Sequence, residues 1–243
     1  MQEPGNHNVY ALLAAGFPAD RASCCIDAGE GAWYSWDDVE RASAMIANLL
    51  KRLKLPKGAR IAVQVDKSPE AVLLYLATLR AGYAFLPLNT AYQATEIDYF
   101  VADAEPSVVV CSPANLRWVE PIARRHRVPH LFTLGDDRRG TLLEAASRES
   151  ARFPTVRSRA EDLAGIVYTS GTTGRSKGAM LSHGNIGSNA LVLHRYWRWR
   201  AGDVLLHMLP IFHVHGLFVA IHGALLSGSL MIWRARFDAR EAI

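Results

Sequence analysis

Cysteine is scarce in this chain, and no two cysteines stand at a chelating or bridging spacing. Cys24 and Cys25 are adjacent and Cys111 is far from both. That pattern excludes a disulfide framework and a Cys-based zinc site. It fits free, buried thiols in a reducing compartment. Charge of one sign is also sparse: a net +4 over 243 residues, with a pI near 9.1, is only mildly basic. Such a balance favours small anionic ligands and gives no ground for a nucleic-acid partner. Internal repeats and low-complexity tracts are absent. The opening residues Met1-Gln2-Glu3-Pro4-Gly5-Asn6 lack a basic start followed by an apolar run, so the expectation is a cytoplasmic protein without a secretory signal.

The longest absence of charge spans residues 204–233, which hold no Asp, Glu, Lys or Arg. Its length reaches that of a membrane span. Pro210, Gly216, Gly223, Gly228 and four histidines interrupt it, however, and polar groups at that density are costly in lipid. The stretch reads as a strand, a loop, a buried helix and another strand, with no integral membrane segment. Within it, His213 and His215 form a His-x-His pair. Two imidazoles on one side of a strand suit a metal, but no Cys, Asp or Glu lies near them in the run to complete a set. The plainer reading places both at a strand end, satisfying backbone groups. No metal site is expected.

Half of the residues are apolar and about a fifth are charged, as in an ordinary globular protein with a sizeable core. An amphipathic helix over residues 7–22 is expected first. Ser35 caps a helix that starts with Asp37, Asp38 and Glu40 and runs to about Leu53. Strand-like and helix-like segments then alternate. Strands are expected over residues 60–65, 84–89, 107–111 and 128–134. Helices are expected over 68–80, 94–102, 113–125 and 142–148. Ser68-Pro69 opens the first of these helices in the manner of an N-cap followed by proline at the first turn. This alternation predicts an α/β fold of layered, mostly parallel sheets with flanking helices. The polar segment 148–162 suggests a soft boundary between a first sheet layer and a second one. The segment His194-Arg195-Tyr196-Trp197-Arg198-Trp199-Arg200 alternates bases and aromatics. Single-stranded nucleic acid could stack on such a run, but its place at a helix end favours an amphipathic cap over the core.

The chain is organised around residues 168–178, Tyr-Thr-Ser-Gly-Thr-Thr-Gly-Arg-Ser-Lys-Gly. The apolar run Leu163, Ala164, Ile166, Val167 ends there, as a buried parallel strand would. Three glycines free the backbone, Ser170, Thr172, Thr173 and Ser176 bring hydroxyls, and Lys177 brings a mobile positive charge. N–H groups, hydroxyls and an ammonium in a small loop suit a polyphosphate. The spacing excludes a Walker loop, because Gly174 is separated from Lys177 by two residues and glycine, not Ser or Thr, follows the lysine. On composition alone, a Ser/Thr/Gly-rich surface hairpin is an equal alternative.

This stretch resembles the signature phosphate loop of the adenylate-forming (AMP-binding) superfamily, which includes acyl-CoA synthetases, firefly luciferase and peptide-synthetase adenylation domains. Ser176 departs from the pattern, since most members have proline there. The Arg175-Ser176-Lys177-Gly178 version, followed by Ala179-Met180-Leu181-Ser182-His183, is similar to malonyl-CoA synthetases. The segments Tyr34-Ser35-Trp36-Asp37-Asp38-Val39 and Gly82-Tyr83-Ala84-Phe85-Leu86-Pro87-Leu88-Asn89 also resemble the superfamily. The resemblance implies nucleotide contacts from Thr169, Ser170, Gly171, Thr172, Thr173, Gly174 and Lys177, with Lys177 and Thr173 in catalytic roles. The stretch Pro210-Ile211-Phe212-His213-Val214-His215-Gly216-Leu217-Phe218 is similar to the superfamily's second signature. By that resemblance His213 sits near the acyl carboxylate as a catalytic and substrate-binding residue, and Val214 lines the acyl pocket.

The implied reaction joins an acid, malonate or a related short dicarboxylate, to coenzyme A at the expense of ATP, with Mg²⁺ as cofactor. Arg234 and Arg236 are candidates, by position, for the second carboxylate. Another acyl- or aryl-CoA ligase, an amino-acid adenylation domain, and a non-catalytic nucleotide-binding remnant are the alternatives. The resemblance covers only the front half of a typical member, a partial N-terminal domain over residues 1–243. The adenine, ribose and magnesium motifs and the small C-terminal domain have no counterpart in it. The isolated chain is therefore expected to be inactive, and its bare apolar surface to favour self-association.

Overall fold

The computed structural model describes residues 5–169 and 175–242. Its first helix, α1 (Val9–Ala14), is shorter than the periodicity predicts. Asn8 caps it by accepting the Tyr10 N–H at 2.9 Å, and the next residues turn away toward Pro18. A hairpin follows, β1 (Cys24–Gly29) and β2 (Ala32–Ser35), which leads straight into α2 (Trp36–Arg52). Ser35 is the N-cap of α2: its hydroxyl accepts the Asp38 N–H at 3.0 Å, while Asp38 returns a bond to the Ser35 N–H at 2.9 Å. Trp36, Val39, Ser43, Ile46, Ala47 and Leu50 recur on the buried side of α2, as helical periodicity requires.

The alternating segments follow in chain order. They are β3 (Arg60–Gln64), α3 (Pro69–Arg80), β4 (Ala84–Pro87), α4 (Ala94–Ala104), β5 (Val108–Cys111), α5 (Leu116–Arg125), β6 (His130–Thr133) and α6 (Thr141–Ala146). Every residue of α3 is buried, so this helix is the axis of the core rather than a surface layer. It ends at Gly82, whose φ of +76° is a left-handed turn that glycine adopts freely. The chain then passes through β7 (Leu163–Thr169), β8 (Lys177–Ser182), α7 (His183–Tyr196) and β9 (Val204–His207). A π-helical stretch, His215–Ile221, continues as α8 (His222–Ser227) and leads to β10 (Leu230–Trp233). The uncharged run 204–233 is thus a strand, a loop, a helix and a strand. Among the described residues no helix is long and apolar enough to cross a membrane.

Two sheets result. The larger has the order β6-β5-β3-β4-β7-β8, parallel except where β8 returns antiparallel along β7. The smaller has the order β2-β1-β10-β9 and joins the two ends of the described chain, with Ile26 beside Met231. The segment 148–162 does not separate the sheets, because β7 pairs with β4 in the same sheet as β3, β5 and β6. The chain changes sheet after α2 and again after α7. The segment is held down instead. Asn48 Nδ2 donates to the carbonyls of Ser150 and Arg152, and the buried Arg80 guanidinium donates to the carbonyl of Phe153 at 2.8 Å. Asn8 Nδ2 donates to the carbonyls of Leu79 and Val156 at 2.7 and 2.9 Å. Side-chain bonds to the carbonyls of Ser150, Arg152, Phe153 and Val156 thus tie the segment to α1, α2 and α3. After β10 the chain makes a single turn, closed by the Ala242 N–H on the Asp238 carbonyl at 3.2 Å.

Candidate active site

The two sheets bring the carboxyl ends of β3, β9 and β10 together. Ligands of parallel α/β sheets bind at such ends. A cleft of about 450 Å³ lies between them. Asp66, Lys67, Thr90 and Asp136 contribute polar groups to it, Pro210, Ile211 and Phe212 an apolar wall, and Arg236 and Phe237 a charged and an aromatic group. Phe212 also reaches a narrower apolar recess under β3 and β4.

Lys67 spans the junction of the sheets. It follows β3, and its Nζ donates to the His207 carbonyl at 2.8 Å and to the Arg234 carbonyl. The ammonium also lies 4.5 Å from the ring centre of Trp233. Burial lowers its pKa to about 7. His207 stacks on Trp233 at 4.6 Å with nearly parallel rings, and its Nε2 faces the Gly216 carbonyl at 3.1 Å. Burial, with Lys67 nearby, lowers the His207 pKa to about 4, so the ring is neutral. Sequence reasoning overlooked both residues. Lys67 precedes a helix cap and reads as a surface lysine until the second sheet is placed above it.

The two candidate arginines separate. Arg236 lines the cleft. Arg234 turns its guanidinium to the Trp233 carbonyl at 3.0 Å and to Glu241 at 3.5 Å, while its own carbonyl holds Lys67. His213 and Val214 are exposed on the turn that enters the π-helical stretch, one and two residues beyond the cleft-lining Phe212. The His213 carbonyl accepts the Leu217 N–H at 3.0 Å, so this histidine belongs to a helical turn and not to a strand. Side chains two apart diverge on a helix, which separates His213 from His215. Among the described residues no group of three or more His, Cys, Asp or Glu side chains is arranged to hold a metal ion.

The hairpin of β7 and β8 carries the other expected contacts. Thr169 and Lys177 are register partners across it, and both are exposed. The expected contacts between them in sequence, Ser170, Gly171, Thr172, Thr173 and Gly174, lie outside the described residues. Tyr168 Oη donates to Asp103 of α4, and Tyr99 Oη donates to the Ser176 carbonyl at 2.7 Å. The stem is thereby fixed at both strands.

A family model described as AMP-binding enzyme matches residues 13–243. The chain belongs to the AMP-binding enzyme family. Within this family, the crystal structure of ATP-bound MatB from Rhodopseudomonas palustris superposes with a TM-score of 0.92 at 46% identity, covering 98% of this chain and 47% of that one. The two-sheet architecture is therefore that of the N-terminal domain of adenylate-forming enzymes. The mitochondrial malonate–CoA ligase of Homo sapiens is 32% identical over 171 residues, covering 70% of this chain and 29% of that protein. The malonate–CoA ligase of Arabidopsis thaliana is 31% identical over 187 residues, covering 75% and 30%. This AMP-binding chain thus spans less than half the length of each of these three relatives.

Proposed function

We propose that this chain serves ATP-dependent activation of a short dicarboxylic acid, malonate in the first instance, and its transfer to coenzyme A. A carboxylate oxygen attacks the α-phosphorus of ATP, and pyrophosphate leaves. The thiol of coenzyme A then attacks the acyl carbonyl, and AMP leaves. Little covalent chemistry is asked of the protein, so positioning and charge stabilisation carry the rate. Lys177 and Thr169, with Ser170, Gly171, Thr172, Thr173 and Gly174 between them, supply cation, hydroxyls and N–H groups for the phosphates. The apolar wall at Phe212 suits the acid's short carbon chain, and His213 and Val214 stand on the turn just beyond it. Mg²⁺ would accompany the phosphates of ATP and neutralise their charge.

The observation that carries the dicarboxylate reading is Arg236 in the cleft while Arg234 is engaged elsewhere. A monocarboxylate needs one anion site; malonate needs a second, and a guanidinium meets a carboxylate in bidentate fashion. The names of the malonate–CoA ligases among the relatives support the same class. A cytoplasmic setting is proposed from the free thiols, two of them buried.

The test is ATP–pyrophosphate exchange driven by malonate and by acetate. It is run on this chain and on the chain extended to the length of its relatives. Exchange is expected with malonate in the extended form and not in the short one. Arg236→Leu should reduce malonate-driven exchange on the order of a hundredfold, the loss of a charge-assisted bond. Acetate-driven exchange should be spared. Equal loss with both acids would sink the role of Arg236. No exchange with either acid would favour a nucleotide-binding remnant.

A further inference from the structure

Helix α4 grips both strands that carry the nucleotide contacts. Tyr99 and Asp103 are four residues apart and so share one face of the helix. Asp103 accepts the hydroxyl of Tyr168, the residue before Thr169. Tyr99 donates its own hydroxyl to the carbonyl of Ser176, the residue before Lys177. Aromatic contact reinforces both bonds: the Tyr168 ring lies 4.4 Å from Phe100 and 6.3 Å from Tyr99. Gly178 stands opposite Tyr168, and a Cβ there would come within 3.3 Å of the Tyr168 ring. Glycine therefore lets that ring lie across the hairpin.

This grip has a specific job because the stem has little else to hold it. β8 is the edge strand of its sheet, and its residues Lys177 to Met180 are exposed. An edge strand whose side chains are exposed over four residues frays at low cost. Two bonds from one rigid helix, one to each strand, fix both the position and the twist of the stem where it delivers Thr169 and Lys177.

We propose that Tyr99 and Asp103 are positioning residues that hold Thr169 and Lys177 ready for the nucleotide's phosphates. The role rests on the nucleotide reading above. A stem already ordered does not have to be ordered when the ligand arrives, which is where pre-organisation gains affinity.

The experiment uses Tyr99→Phe and Asp103→Ala, which remove one bond each, and Asp103→Asn, which keeps an oxygen acceptor for Tyr168. Three readouts are taken: amide hydrogen exchange at residues 168–169 and 176–178, the affinity for MgATP, and the thermal midpoint. Tyr99→Phe and Asp103→Ala should each speed exchange at those residues. Each should weaken MgATP on the order of tenfold, the cost of ordering about one residue. The thermal midpoint should hold, and Asp103→Asn should restore both of the other readouts. Faster exchange with unchanged MgATP affinity overturns the positioning role, as does unchanged exchange. All variants are made in the chain extended to the length of its relatives, and failure of that unaltered extended chain to bind MgATP overturns instead the nucleotide reading on which the role depends.

Discussion

The Lys67 ammonium has exchanged water for two backbone carbonyls and the face of Trp233. Burial brings its pKa from 10.5 to about 7. Between these values the unfolded chain holds a proton at this position that the folded chain has released. Folding stability from this group therefore rises with pH across that window. Denaturant titrations at pH 7, 8 and 9 should show the wild type gaining on Lys67→Met as pH rises. A constant gap would mean that the amine keeps its charge in the fold. Asn8 offers a simpler case. It is fully buried, caps α1 and donates to two carbonyls far apart in sequence. Asn8→Ala leaves those carbonyls unpaired, and a loss of about 1–3 kcal/mol is expected from equilibrium unfolding. A loss well below that range would show that water reaches the vacated site. Neither residue advertises itself in the sequence, where a lysine after a strand and an asparagine before a helix look like surface and cap. Arg236 was legible only as one of two arginines; the bond of Arg234 to Glu241 is what tells them apart. Thr169 and Lys177 stood out because the proposed phosphate contacts fall in one consecutive stretch rich in glycine and hydroxyl residues.

Helices and strands whose signals are local were readable in advance. Ser35 and Ser68 each cap the helix that follows, since an N-cap is decided by a hydroxyl within three residues of its donor. What was not readable is how elements distant in sequence meet. The parallel run of the larger sheet gave no sign that β7 joins it, so the polar segment before β7 looked like a boundary. The basic-aromatic segment at the end of α7 is another such meeting. Trp199 packs so closely on Gly223 of α8 that a Cβ there would lie 2.5 Å from the indole ring. Gly223→Ala must displace that ring, at a cost of about 1–3 kcal/mol as overpacking. It should also alter the tryptophan fluorescence of the folded protein. An unchanged spectrum and unchanged stability would show that Trp199 is free to move.

At the scale of the whole molecule, three buried histidines on three elements share one response to acid. Burial lowers His183 and His207 to about 4 and His222 to about 3. All three are neutral in the fold, and His222 faces the Tyr75 hydroxyl at 2.7 Å. Below the unfolded value of 6.5, the unfolded chain takes up protons that the folded chain refuses. Stability is therefore complete above pH 6.5 and drains away as pH falls toward 4. Thermal midpoints across that range should fall, and His222→Gln should lessen the fall. The molecule also exposes apolar groups: Met180 on the β8 edge, Leu191, Val192 and Tyr196 on α7, and Val204 on the β9 edge. Bare edges beside apolar side chains predict concentration-dependent association of the isolated chain. Light scattering that finds a monomer at high concentration would refute it. The pairing of β1 with β10 has a consequence for birth on the ribosome. The larger sheet draws on residues 60–182 and can close while translation continues. The first hairpin, made much earlier, must wait for a partner strand that is synthesised only after the whole of the larger sheet. During that interval the nascent polypeptide carries an unmatched sheet edge, a substrate for holding chaperones, and late closure of this kind is slow.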